Sequence, residues 1–245
     1  MKTLNRVVSV VLAAVLGACG GGSGGSSTGT ATTGTSSSTA STFNYRQAVL
    51  NNDQNGLTLS FNATASGASS CSGSGTFVQS PLTSLTTFNT LTTQGVSALS
   101  GAITITINWT NCSPTPTLIT STDFIDSTTL VPLGFSEAGV YGVYTAPPVI
   151  PASVAVGNTG SLGAVQLYTD STETASLGSE SVQYAVSAGA DSSDVTLTVT
   201  TQSYDATGTL VATVTEVDQL SAAGVLTPVS ITMVNLLTGT TITLN

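Results

Sequence analysis

The chain of 245 residues contains no histidine and only three cationic side chains, Lys2, Arg6 and Arg46. Without an imidazole it cannot form the Ser–His–Asp or Cys–His arrangements that move protons during nucleophilic catalysis. Twelve carboxylates give a formal net charge of −9 at pH 7. Because proteins bind nucleic acids through Lys and Arg at the phosphates, this charge excludes a nucleic-acid partner. We therefore predict a protein that is not an enzyme and that uses no cofactor.

The first 18 residues are typical of an export signal. Lys2 and Arg6 precede an apolar run over residues 7–16 that is interrupted by one serine. About ten residues are too few to cross a hydrocarbon core of ~30 Å as a helix, but they suit a signal peptide. The run ends in Leu-Gly-Ala-Cys at residues 16–19, which resembles the lipobox of bacterial lipoproteins.

This resemblance implies that the signal peptide is cut before Cys19 and that fatty acids such as palmitate are attached to this cysteine. Two or three acyl chains anchor a protein stably to a membrane, where a single chain would not. Gly20 stands where such lipoproteins carry Asp when they stay in the inner membrane. We therefore expect a lipid-anchored protein of the outer membrane that faces the periplasm or the cell surface.

Residues 20–42 contain only Gly, Ser, Thr and Ala. With no large apolar side chain to bury, this stretch is expected to form a flexible linker between Cys19 and a folded body over residues 43–245. Ser and Thr make up about a third of the chain. The body thereby resembles uncharacterised Ser/Thr-rich secreted bacterial proteins, to which no activity is attached.

Apolar and polar residues alternate along several segments of the body. The clearest are residues 57–64, 103–110 and 195–200, in which Thr fills most of the polar positions. A period of two indicates strands with one buried face, and β-branched Thr favours strands. Asn55-Gly56 predicts a hairpin in which residues 43–50 form the first strand. Turn sequences at 205–208, 222–224 and 237–239 predict an antiparallel meander over residues 163–245. The fold class is therefore all-β.

Three prolines within residues 147–151 interrupt the pattern, since proline lacks the N–H that a central strand requires. We divide the body there into an N-terminal β-unit, 43–146, and a C-terminal β-meander, 147–245. The sequence favours two packed units, although a single domain with one core is also consistent with it. It leaves open whether the sheets form a sandwich or a curved half-barrel.

Cys71 and Cys112 remain in the body once Cys19 is lipidated. Disulfides persist outside the cytoplasm, so we predict that these two cysteines are bonded. The alternatives are two free thiols or metal ligation, and metal ligation has little support because the chain has no histidine.

The carboxylates offer the remaining candidate sites. Asn51, Asp53, Asn55 and Gly56 match the first half of a calcium loop, but Asn62 stands where the bidentate Glu belongs. Weak calcium candidates are Asp53 and Asn55 here, and Asp191 and Asp194 in a second acidic turn. Pairs that could hydrolyse a glycoside are Asp123 with Asp126, Asp170 with Glu173, and Glu216 with Asp218. Solvated carboxylates are the default for all of them.

Three functions remain open. The first is a non-catalytic envelope lipoprotein with a structural, assembly or surface-interaction role and an envelope protein as its partner. The second is a periplasmic carrier that encloses a lipid or another hydrophobic ligand in a curved β-sheet. The third is a carboxylate-dependent glycoside hydrolase. The lack of catalytic groups favours the first, and the sequence identifies no ligand-binding residues.

Overall fold

A computed structural model describes residues 41–67, 70–90, 95–110, 112 and 116–245. The predicted signal peptide, Cys19 and linker residues 20–40 lie outside the described residues. The helix α1 spans Tyr45–Asn55. The strands are β1 Leu57–Ser66, β2 Cys71–Gln79, β3 Ser84–Phe88, β4 Val96–Trp109, β5 Thr117–Asp126, β6 Pro132–Glu137, β7 Val140–Tyr144, β8 Thr159–Tyr168, β9 Ser176–Ala188, β10 Asp194–Asp205, β11 Leu210–Ser221, β12 Leu226–Asn235 and β13 Thr240–Leu244.

Twelve of these strands form a closed antiparallel barrel. Each strand from β4 to β12 pairs with the next one along the chain, β13 pairs with β1, and β1 pairs with β2. The ring closes where β2 pairs with the second half of β4, and β3 pairs with the first half of β4 outside the ring. The all-β class and the C-terminal meander are confirmed. The sheet closes on itself, however, instead of forming a sandwich or a half-barrel.

The strands of both predicted units belong to this one sheet. β7 pairs with β8, on either side of the proline segment, and β1 pairs with β13. The proline segment itself, residues 147–151, runs outside the strands between β7 and β8. The division of the body at this segment stays a prediction.

The disulfide between Cys71 and Cys112 is confirmed, with Cα atoms 5.8 Å apart. Cys71 is the first residue of β2, and Cys112 follows the end of β4 by three residues. Gly73 and Trp109 are paired at the same end of these two strands. The covalent bond therefore lies at the seam that closes the barrel.

The predicted hairpin strand over residues 43–50 is wrong, because α1 occupies most of this segment. Tyr45, Ala48, Val49 and Asp53 are its buried residues, and their spacing of three, four and eight is helical. Gly56 ends the helix at φ 72°, and a Cβ there would lie 2.6 Å from the Gln79 oxygen. Gly56 is thus required for the sharp turn into β1. No helix in the described ranges is long and apolar enough to span a lipid bilayer.

Two apolar clusters fill most of the barrel. The first contains the buried side of α1 together with inward residues of β6 to β10, such as Leu197 and Val182. The second contains inward residues of β1, β2, β4, β5 and β11 to β13, such as Phe77 and Ile105. Thr and Ser occupy most of the outward positions, which explains how a chain with so few charges covers its outer surface.

Candidate functional site

Half of the carboxylates of the chain lie inside the barrel. All twelve fall within the described residues, and six of them are partly or fully exposed at turns and strand ends. The other six, which we call the inner carboxylates, are at most 9 % exposed. They are Asp53, Asp123, Glu137, Glu180, Glu216 and Asp218. Burial of an ionised carboxylate costs on the order of several kcal/mol unless it is paired, so this group requires an explanation.

Strand alternation directs these side chains inward. On β11 the inward series is Val214, Glu216, Asp218 and Leu220, and none of the four is more than 3 % exposed. Val214 belongs to the second apolar cluster and Leu220 to the first. Along this strand the carboxylates therefore lie between the two clusters. The same alternation buries Asp123 on β5, Glu137 on β6 and Glu180 on β9, while Asp53 lies on the buried side of α1.

The inner carboxylates have few hydrogen-bond donors. Asp53 Oδ1 accepts a hydrogen bond from Gln79 Nε2 at 3.0 Å, and Glu180 Oε1 accepts one from Ser203 Oγ at 2.9 Å. The second carboxylate oxygen of Asp53 and that of Glu180 have no protein partner. The buried carboxylate oxygens without a partner are Asp53 Oδ2, both oxygens of Asp123, Glu137 Oε2, Glu180 Oε2 and Asp218 Oδ1. A buried acceptor without a donor is rare in folded proteins.

No cationic side chain among the described residues offsets their charge. Arg46 is the one Lys or Arg within the described ranges. Its Nε and one terminal nitrogen donate to the backbone oxygen of Ile150, at 3.2 and 2.6 Å, so it is bound to the proline segment. Inner carboxylates in this environment can be neutralised by protons or by a bound cationic group.

Burial accordingly raises the pKa of every inner carboxylate. Desolvation is the largest cause in each case, and it raises the pKa of Asp53 and Asp218 to about 7. It raises the pKa of Glu137 and Glu180 to about 8, with a further contribution from the charge of Glu180 at Glu137. The pKa values of Asp123 and Glu216 are also raised, in each case by desolvation and then by neighbouring carboxylates. Near neutral pH the barrel interior therefore holds several protonated acids.

Glu216 and Asp218 are hydrogen-bonded to each other. Two ionised carboxylates offer only acceptors, so this bond requires a proton on at least one of them. Tyr45 of α1 faces the pair, and the two carboxylates contribute to raising its pKa after desolvation. The side chains beside Glu216 on the neighbouring strands are Val199 of β10 and Ile231 of β12, both apolar.

A pocket lies between parts of β1 and β12, and Glu216 is among the residues that line it. The strand β13 pairs only with residues 63–66 of β1 and 231–235 of β12. The other halves of β1 and β12 line the pocket, which contains about 490 Å³ of free space including its open mouth. We call it the β1–β12 pocket. Its lining residues are Leu59, Ser60, Phe61, Phe77, Glu216, Pro228, Val229, Ser230, Ile231, Leu244 and Asn245.

Glu216 is the one ionisable side chain in this lining, which is otherwise mostly apolar. Phe77 is 3 % exposed, and the Phe61 ring lies against Gly75, where a Cβ would come within 2.7 Å of it. An apolar cavity with one convergent polar group is typical of small-molecule binding sites. The β1–β12 pocket with the Glu216–Asp218 pair is therefore the candidate functional site.

Four of the exposed carboxylates have a local structural role. Asp126, Asp170, Asp191 and Asp205 each accept hydrogen bonds from the backbone N–H and the hydroxyl of a Ser or Thr two or three residues later. These bonds lower the pKa of all four carboxyl groups. Each residue stabilises a turn between strands.

The calcium candidates do not form a common site. Asp53 and Asn55 lie in α1 instead of a loop, and the Asn55 side chain donates to the Asn51 oxygen at 2.7 Å. Asp191 accepts from Ser193 in its turn, whereas Asp194 accepts from Gln219 at 2.6 Å. In the part of the chain that the structure describes, no three acidic or cysteine side chains are grouped so that they could hold a metal ion.

Of the three carboxylate pairs considered for hydrolysis, only Glu216 and Asp218 lie together inside the barrel. Asp126 is partly exposed although Asp123 is buried, and Asp170 is exposed in a turn near Glu173. Sequence reasoning missed Glu137 and Glu180 altogether. The signal was available for Glu180, because it stands two residues before Val182 in the same alternating series that buries Val182 and Val186.

Comparison with known proteins identifies no relative: no family model, curated protein or solved structure matches the chain.

Proposed function

We propose that this protein is a non-catalytic binding protein of the cell envelope, tethered by lipid at Cys19, that holds a small amphipathic ligand in the β1–β12 pocket. The lipobox resemblance of residues 16–19 and the Gly/Ser/Thr linker support the tether. The pocket supports the binding role. A ligand carrier was the second of the three functions considered from the sequence.

The observation that carries this proposal is the contrast within the pocket lining. Leu59, Phe61, Phe77, Ile231 and Leu244 offer apolar contacts, and Glu216 offers one buried polar group at the inner end. A ligand with a short apolar chain and one polar end satisfies both parts.

Catalysis has less support than binding at this site. Hydrolysis of a glycoside by two carboxylates requires an ionised group and a protonated group on either side of the bond that is cut. Glu216 and Asp218 instead lie on the same inward face of one strand and are hydrogen-bonded to each other. An arrangement of this kind suits recognition of one polar group.

The test uses the full chain with Cys19→Ser, so that the protein is obtained without lipid, and 1-hexanol as the probe. We expect ligand-observed saturation-transfer NMR to show binding of 1-hexanol. Leu59 lines the pocket, so the larger side chain of Leu59→Trp should fill part of it and abolish the signal. The control Leu118→Trp places the same side chain at a position on β5 that is 60 % exposed and outside the pocket, and should retain it.

Two results would contradict the binding role. One is the absence of any transfer to 1-hexanol in the parent chain. The other is a signal that persists unchanged in Leu59→Trp, since the contact would then lie elsewhere. Thermal unfolding of both tryptophan variants, followed by circular dichroism, verifies that each one is folded under the conditions of the NMR measurement.

A further inference from the structure

The inner end of the β1–β12 pocket has a chemical preference that its apolar lining alone would not give. Glu216 lines the pocket, and its hydrogen-bond partner Asp218 lies two residues along the same inward face of β11. Asp218 Oδ1 is buried and has no hydrogen-bond partner. Glu216 therefore presents a carboxyl group to an otherwise apolar cavity, and Asp218, which is not part of the lining, keeps an unused acceptor beside it.

Within the described ranges, no cationic side chain is free to supply the missing donors. Arg46, the single Lys or Arg in the described part of the chain, is bound to Ile150. Tyr45 is the titratable side chain that faces the pair from α1. The cross-strand neighbours of Glu216, Val199 on β10 and Ile231 on β12, are apolar.

We propose that the polar end of the ligand is a primary ammonium group, and that it replaces a proton of the Glu216–Asp218 pair. This inference rests on the proposed binding function of the same pocket. An ammonium group has three N–H donors and one positive charge. It can donate to Glu216, whose partner Asp218 is buried beside it, while its alkyl chain contacts the apolar lining.

The exchange balances in charge and in atoms. Below neutral pH the pair carries two protons and no charge. A bound alkylammonium ion displaces one proton to the buffer, which leaves one ionised and one protonated carboxyl group beside one positive charge. The site is then neutral again and keeps the hydrogen bond between the two carboxyl groups. An alcohol enters without this exchange, and a carboxylate ligand would bring a buried negative charge that no group in the site balances.

Three probes of equal chain length separate these cases: hexylamine, 1-hexanol and hexanoate. We expect isothermal titration calorimetry at pH 7 to show hexylamine binding at least tenfold more tightly than 1-hexanol, and hexanoate binding least. In buffers of different ionisation enthalpy, each hexylamine bound at pH 6 should release about one proton. Its affinity should rise about tenfold per pH unit from pH 5 to 7 and then level off, whereas that of 1-hexanol should stay constant.

The double variant Glu216→Gln with Asp218→Asn should bring the ratio of the two affinities close to one. The matched control is Glu180→Gln, which removes the ionisable group of an inner carboxylate outside the pocket lining and should keep the ratio. If all three probes bind equally, or if hexylamine releases no proton at pH 6, the ammonium assignment is wrong although the pocket binds. If none of them binds, the proposed function itself fails. The proton count requires no variant, so a double variant that does not fold leaves the test intact.

Discussion

Glu180→Gln should make the protein more stable at alkaline pH. Glu180 is 1 % exposed, and one of its oxygens accepts from Ser203 while the other has no partner. Its pKa is about 8 in the folded protein against an ordinary value of 4.5, with desolvation as the main cause. The folded state therefore holds the proton more tightly than the unfolded chain does. The resulting stability is fully present below about pH 4.5 and is lost as the pH rises through 8.

The magnitude follows from proton linkage. At ~1.4 kcal/mol per pKa unit, Glu180 alone should lower the free energy of unfolding by about 3 kcal/mol between pH 5 and pH 8. Glutamine has the same shape, cannot ionise, and can still accept from Ser203. We expect the variant to match the parent within about 1 kcal/mol at pH 5, and to exceed it by about 3 kcal/mol at pH 8.

The assay is urea unfolding at half-unit intervals from pH 5 to 8.5, with the m value checked for constancy. Asp170→Asn is the control, because Asp170 is exposed in a turn, where hydrogen bonds from Thr172 lower the pKa of its carboxyl group. Its free-energy curve should not show the gain at pH 8. A Glu180→Gln curve that runs parallel to that of the parent over the whole range would refute the reasoning, since Glu180 would then not be protonated in the fold.

Two further predictions concern the seam of the barrel and its tether. Replacing both Cys71 and Cys112 by Ser should lower the free energy of unfolding by ~4 kcal/mol on the chain-entropy model. The measurement is urea unfolding of the variant and of the parent, with and without reductant. An unchanged midpoint would show that the disulfide at the seam does not stabilise the fold. Growth with labelled palmitate should place label on the exported chain and none on Cys19→Ser, and label on both would show that residue 19 is not the acylated position.

The period of two was sufficient to predict most of the sheet. Alternation at residues 57–64, 103–110 and 195–200 identified segments of β1, β4 and β10, and the turn sequences identified the connections of the meander. Closure was not predictable, because it depends on the pairing of β2 with β4, which are separated in the chain by β3. Nothing local in either strand specifies that pairing.

The helix and the acids were missed for related reasons. Residues 45–55 contain five Asn and Gln and were interpreted through the Asn-Gly dipeptide that follows, although Tyr45, Ala48 and Val49 already had helical spacing. The carboxylates were treated as solvated by default, which holds for Asp170 but not for Asp123. Burial of an acid is decided by the face of the strand on which it falls, so its place in the alternation is more informative than its residue type.

Because the chain has few cationic side chains, its inner carboxylates must be neutralised in another way. A barrel with one arginine in its described part, and that arginine bound to a backbone oxygen, cannot neutralise six inner carboxylates by ion pairs. Protons are then what keeps the interior neutral, and their number falls as the pH rises. A bound ammonium group would neutralise one carboxylate in place of a proton. Its contribution to the free energy of unfolding must therefore increase with pH, over the range in which the contribution of the bound protons decreases. The stability of Glu180→Gln tests whether an inner carboxylate is protonated in the fold. The ligand measurements on the Glu216–Asp218 pair test whether an ammonium group can replace such a proton. Together they distinguish an interior that is only protonated from one that can also bind a cation.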